Sequence, residues 1–395
     1  AALRERAREI AEAQESETGR AADDALDGVL AGARTLVQYA ELGPVHRGRS
    51  LHGAPNATDL MLPRPRGVVL ALTPWNDPVP IACGLLGAAL VTGNTVVHKP
   101  SERCPRTGAL LGEILADAVG ADVARTVSGD GRVGAALAAT PGFDVVAHVG
   151  GTATGREIAA AAASTGARTL LENGGNDPLL VDGDVPPAWA AHQAAIGAFA
   201  NAGQICTSVE RIYVHAAVAE PFLEALTDEA LARPSLTLVD RVHRDGVHAQ
   251  VAAAMEDGAH LVTGGVVRDL DGPTYQATVL THCTPDMAVF AEETFGPVAP
   301  IRVVDDFDQG LHEAASGPYG LAATVLTRSM AHAQQAWARL PVGTVKINNV
   351  FGGAPGGSSE PRGASGHGVG FGPELLDEMT TWSVLHMEAV PEDLS

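Results

Sequence analysis

The chain of 395 residues predicts an α/β fold, a doubly wound parallel sheet joined to a second α/β lobe. Two observations predict it. From Gly67 onward, short β-branched runs alternate with Ala-rich helical stretches, the rhythm of parallel strands linked by crossover helices. The same rhythm resumes near Pro178, so one sheet gives way to another. The length supports this division, being too great for one simple core and suited to two or three packed lobes.

Taken in order, Leu3 to Ala40 reads as two helices divided near Thr18–Gly19, where the glycine suits a C-terminal cap. Gly43 to Pro65 is polar, contains Gly and Pro, and has weak strand character. Strands are expected at GVVLALT (67–73), TVVHK (95–99), ARTVS (124–128), DVVAHV (144–149) and RTLLE (168–172). TGN at 92–94 fits a helix stop before the second of these. The second lobe begins with PLLV at 178–181, a helix over Trp189–Ala200 and the strand RIYV at 211–214. Helices follow to about Gly258, and later come LAATVLT (321–327) and GTVKINN (343–349). A loop rich in glycine, Gly352 to Gly372, precedes a last strand in TTWSVLHMEAV (380–390).

Composition narrows the function. A formal net charge of -21 argues against nucleic acid, whose phosphates need a basic surface, and against an acidic membrane. A dinucleotide is still compatible, because its phosphates respond to local dipoles and helix N-termini. Aromatic residues are 4% of the chain, so a substrate cavity is expected to have small and aliphatic walls. Four cysteines, Cys83, Cys104, Cys206 and Cys283, form no CxxC pair and are too sparse for a disulfide framework. A reducing cytoplasm is the expected compartment. The longest apolar run, Ile81 to Val91, is too short to span a bilayer. The chain opens at Ala1, as a processed, trimmed or internal segment would, and shows no signal-peptide pattern.

Three segments carry chemistry. Cys206 sits where a helix gives way to a loop before a strand, so its thiol can be exposed beside backbone N–H groups. The alternative is a small buried core residue. Glu172 ends an apolar strand before paired glycines, at the sheet edge where α/β enzymes keep their chemistry, or it caps a turn. Asn76 follows a strand in the same way. Its amide can donate to an oxyanion or form an Asx turn before Pro78.

PWNDP (74–78), GNTVVHKPSE (93–102), GGTATGRE (150–157), LLENGG (170–175), NAGQICTS (201–208) and EETFGPV (292–298) occur in the order of the signature segments of the aldehyde dehydrogenase superfamily. From about Thr18 to its end the sequence resembles that family, hydrolytic type. The resemblance implies Cys206 as nucleophile, Glu172 as the base that activates water, and Asn76 as oxyanion donor with the Cys206 backbone N–H. It implies cofactor contacts at Trp75, Lys99, Glu102, Gly150, Gly151, Gly155, Glu293 and Phe295. Glu102 can accept from a ribose 2′-hydroxyl and would repel a 2′-phosphate, so NAD is expected over NADP. Asp77, Gly84, Ile205, Thr207 and Phe351 would line a substrate tunnel, widened where Gly84 replaces a common aromatic. An aromatic or medium-length aliphatic aldehyde would fit it.

The resemblance also implies a division of the chain: residues 1–42 and 66–174 bind the cofactor, 175–379 form the catalytic domain, and 43–65 with 380–395 form a small oligomerisation sheet. A homodimer or homotetramer is therefore expected. The sequence departs from the family in several places. Gly151 replaces a serine, Asn173 a leucine and Asn176 a lysine, the connection between Val214 and Gly258 is short, and the elements that usually precede Leu3 are missing. No metal site is expected, since His243 and His248 project in different directions from what reads as a solvated helix face. Two rivals are weighed: a CoA-acylating relative, disfavoured by Glu172, and a non-catalytic scaffold, disfavoured by the joint presence of Asn76, Glu172 and Cys206.

Overall fold

The computed structural model describes residues 1–233, 235–352 and 357–390. Its first large sheet has six strands in the order 366–367, Arg168–Glu172, Val145–Val149, Val68–Leu72, Thr95–Lys99 and Ala124–Thr126. Five are parallel and the 366–367 edge strand is antiparallel. Val145–Val149 is buried at every position, as a central parallel strand covered on both faces must be.

The chain lays Val68–Leu72 in the middle, adds its next two strands on one side, then returns to place Val145–Val149 on the other. The strand order thus reverses between Val68–Leu72 and Val145–Val149. A crevice forms beyond the carboxyl ends of these two strands, the usual ligand position in an open α/β sheet.

The second sheet has seven strands in the order His260–Thr263, Thr278–Thr281, Val298–Val304, Val209–His215, Asp177–Val181, Ala322–Leu326 and Thr344–Ile347. All pair in parallel except the first. Only four residues separate Glu172, at the end of a strand in the first sheet, from Asp177, at the start of one in the second. The carboxyl edge of one sheet and the amino edge of the other are therefore joined by a short link.

The expected helix pair is present as Ala7–Thr18 and Ala22–Leu42, divided at Gly19 with φ 74°, a left-handed cap that glycine accepts without strain. Ala22–Leu42 packs on the helix Pro78–Val91, where a Cβ at Gly32 would lie 3.1 Å from the Cys83 sulfur. That close approach carries the Asp77 end of Pro78–Val91 against the first turns of the chain. Arg49–Leu51, Ala57–Pro65 and Thr380–Glu388 form a separate antiparallel sheet, and the last strand is exposed beyond Thr380. No helix among the described residues is long and apolar enough to cross a membrane.

Candidate active site

The crevice at the strand-order reversal is a cleft of about 380 Å³, walled by Leu72–Trp75, Lys99, Glu102, Gly134 and His148–Gly151. The helix Thr152–Thr165 begins at its edge with Gly151 as N-cap and no side chain capping its first N–H groups. A Cβ on Gly151 would meet nothing within 4 Å, so the backbone there faces open space. Uncapped N–H groups at an open helix start suit a pyrophosphate. Lys99 is buried, donates from Nζ to the Pro100 carbonyl at 2.9 Å and lies 3.6 Å from Glu102, whose carboxylate is about half exposed. These residues fit an adenine dinucleotide.

A second cleft of about 520 Å³ continues past Trp75 and Gly150 to Asn76, Glu172, Cys206, Glu293 and Phe295. Thus the three chemical candidates, 130 residues apart in sequence at their extremes, share one wall-to-wall space. Asn76 is buried and uses its amide to donate to the Gln204 carbonyl at 3.0 Å, leaving the other amide hydrogen for a ligand. Cys206 follows a backbone kink at Asn201 and Ala202, which have φ 46° and 56°, and precedes the strand Val209–His215. It is half-buried, whereas Cys83, Cys104 and Cys283 are fully buried, and all four are free thiols.

Electrostatics make this thiol reluctant to ionise by itself. Burial, and then the charges of Glu172, Asp177, Glu293 and Asp77, push its pKa up to about 12. Loss of water pushes Glu172 up to about 7, against the lowering effect of the Gly370 N–H. The loop carrying Gly370 is held in turn by Tyr39, whose hydroxyl donates to the Gly372 carbonyl at 3.2 Å. Glu293 is also pushed up to about 7 by burial, and Glu210 well above its ordinary range by burial and by Glu293. Glu210 accepts the Thr294 and Phe295 N–H groups, each at 2.8 Å, which fixes the segment carrying Phe295 at φ 50°.

The other expected residues separate into groups. Trp75, Gly150, Gly151, Glu293 and Phe295 line the clefts, with Trp75 and Phe295 edge to face at 5.7 Å. Gly155 lines neither cleft. It packs against Asn173, whose Oδ1 a Cβ would approach to 1.9 Å, so it serves helix–sheet contact. Ile205, Thr207 and Phe351 are half-buried and outside both cleft walls, while a Cβ on Gly84 would meet nothing within 4 Å.

His243 departs from the solvated helix face expected of it. Asp240 caps the helix Arg241–Glu256 by accepting the His243 backbone N–H, and the His243 ring lines the cleft. There Nε2 donates to the Phe295 carbonyl at 2.8 Å and the ring meets Trp75 edge-on. His248 is bound separately to the Tyr275 hydroxyl, and the described residues hold no group of three His, Cys, Asp or Glu side chains suited to a metal. Sequence reading also missed Glu210, Gln204 and Arg20. Each acts through contacts between distant segments that no local pattern announces.

The family model described as aldehyde dehydrogenase family matches residues 1–385. The chain belongs to that family. Among solved structures it resembles lactaldehyde dehydrogenase from Escherichia coli at 29% identity and a TM-score of 0.94, covering 98% of this chain and 84% of that one. An NAD-dependent aldehyde dehydrogenase from Sinorhizobium meliloti gives 29% identity and 0.94 over 99% of this chain and 81% of that one. An E. coli NADP-dependent enzyme gives 28% and 0.93 over 98% and 83%. As an aldehyde dehydrogenase, the protein oxidises an aldehyde to the carboxylic acid with a nicotinamide cofactor.

Proposed function

We propose that this chain is a hydrolytic, NAD-preferring aldehyde dehydrogenase in which Cys206 is the nucleophile and Glu172 the base. The observation that carries this reading is the shared cleft in which Cys206, Glu172 and Asn76 meet directly beside the dinucleotide crevice.

The Cys206 thiol releases its proton to solvent, and its sulfur attacks the carbonyl carbon to form the thiohemiacetal. The Asn76 amide and the Cys206 N–H hold the oxyanion. Bound in the cleft, the nicotinamide would accept the hydride, and its positive charge would oppose the four carboxylates around the thiol. Glu172 then takes a proton from the water that attacks the Cys206 thioester and passes it to the departing sulfur, releasing the acid and restoring the thiol. Asn76→Ala is expected to lower kcat by about 10²–10³-fold with a smaller change in KM, since the amide is needed most when the oxyanion forms. Steady-state kinetics on any accepted aldehyde checks this.

Lys99, Glu102, Gly150 and Gly151 would hold the dinucleotide, with Trp75, Glu293 and Phe295 around the nicotinamide end. Glu102 supports NAD, because its exposed carboxylate beside Lys99 would face a 2′-phosphate with like charge. The test is reduced-cofactor formation over a panel of aldehydes with each dinucleotide in turn. The expected KM for NADP is at least tenfold above that for NAD, and Glu102→Gln narrows the gap. A lower KM for NADP would reverse the assignment.

The exposed strand Thr380–Glu388, carrying Trp382, Val384, Leu385 and Met387 with one edge unpaired, supports a homodimer or homotetramer built on residues 43–65 and 380–395. Of those residues, 391–395 lie outside the described part of the chain. Four free thiols support a reducing, cytoplasmic setting.

A further inference from the structure

We propose that the Arg20–Asp77 pair, with the cleft that Arg20 lines, receives the far end of the substrate and selects neutral hydroxylated aldehydes over apolar ones. This rests on the reading of Cys206 as the nucleophile.

The turn at Gly19 reverses the chain after its second helix and sends Arg20 inward. Its Nη1 donates to the Asp77 carboxylate at 2.6 Å and to the Asn76 carbonyl at 3.1 Å, which ties the guanidinium to the backbone of the oxyanion residue. Arg20 Nε is buried and has no acceptor among the described residues, an unspent donor at a place where buried donors are normally satisfied. The Asp77 side chain keeps 38% of its surface. Facing it is Gly28, where a Cβ would come within 3.1 Å of the carboxylate, so the neighbouring helix lays no side chain over it.

Space adjoins the pair. A cleft of about 470 Å³ runs between the Gly19–Ala21 turn and the segment Phe199–Ala202, with Asp24, Arg233 and Thr237 also in its walls. Four residues after that segment comes Cys206, and Asp77 directly follows Asn76, which shares the Cys206 cleft. An aldehyde seated on Cys206 with its tail away from the nicotinamide cleft would therefore meet Asp77 and Arg20.

The charges decide what that tail is. Asp77 offers an acceptor and Arg20 Nε a donor, and a hydroxyl uses both. A carboxylate-ended aldehyde would face Asp77 and Asp24, and a cationic one would face Arg20 and Arg233, the latter already paired with Glu229. Either would disturb a pair that is neutral as it stands. A hydrocarbon tail would leave the donor and acceptor without partners, and a site built to bind a hydroxyl discriminates strongly against an analogue without it. The expectation of an aromatic or aliphatic substrate took no account of Arg20, which reaches Asp77 across 57 positions of sequence.

The test compares kcat/KM for aldehydes of matched length, glyceraldehyde against propanal and erythrose against butanal, with succinic semialdehyde as the anionic probe. The expected result is a preference of at least tenfold for the hydroxylated member of each pair. That ratio should collapse toward one in Arg20→Met and in Asp77→Asn. Equal or better use of propanal and butanal by the unaltered protein overturns the proposal, and so does preference for succinic semialdehyde. A hydroxyl preference that both variants retain overturns it too, since something other than the pair would be selecting. All of these results leave Cys206 in its role. Turnover of no aldehyde, or turnover that survives Cys206→Ala, overturns the parent reading and this one with it.

Discussion

Cys206→Ala is expected to abolish aldehyde oxidation, by about 10⁴–10⁶-fold in kcat, while the dinucleotide still binds. No other thiol can substitute, because Cys83, Cys104 and Cys283 are buried away from the cleft. The substitution removes one half-buried sulfur and leaves the Asn76–Gln204 bond intact, so the fold and the crevice at the strand-order reversal should survive. The loss is read as reduced-cofactor absorbance under saturating aldehyde, and retained binding by quenching of tryptophan fluorescence, with Trp75 lying in the crevice. Full activity in the variant would remove Cys206 from the mechanism.

Glu172→Gln carries the second large effect. The amide cannot take a proton from water, so thioester hydrolysis should slow by about 10²–10⁴-fold. If hydrolysis becomes the slow step, the first turnover appears as a burst of reduced cofactor followed by a low steady rate. The pH dependence separates this from a structural defect. Burial raises the Glu172 pKa to about 7, so below that value the group is protonated and idle, and above it the carboxylate is available. The hydrolysis rate of the unaltered protein should therefore climb with pH up to about 7 and level off. Glu172→Gln should lack that limb. Stopped-flow traces at several pH values check both statements.

The five parallel strands of the first sheet and four of the seven in the second were legible because each is a short β-branched run bounded by Gly, Pro or an Ala-rich helix, whereas His260–Thr263, Thr278–Thr281, Val298–Val304 and the 366–367 edge strand were not singled out. Asn76 and Glu172 were legible for a related reason, since both follow the carboxyl end of a parallel strand. Cys206 needed its surroundings, because a lone cysteine before a strand has the same local pattern whether buried or reactive. His243 was misplaced because the Phe295 carbonyl and the Trp75 ring, brought in from distant segments, hold its imidazole in the cleft. Arg20 gave no signal at all. Its significance comes from Gly19, which turns the chain, and from Asp77, which the packing of two helices brings alongside. Glu210 reads as an ordinary polar position in an apolar strand, yet it fixes the backbone of the Phe295 segment through two N–H groups.

The most direct test of the account is the mass of Glu172→Gln protein quenched within seconds of mixing with NAD and an accepted aldehyde. The account predicts an added acyl group, the aldehyde's mass less two hydrogens gained on replacing the thiol hydrogen, mapped by peptide sequencing to Cys206. An unmodified chain that has nevertheless formed reduced cofactor, or an acyl group on another residue, would contradict it.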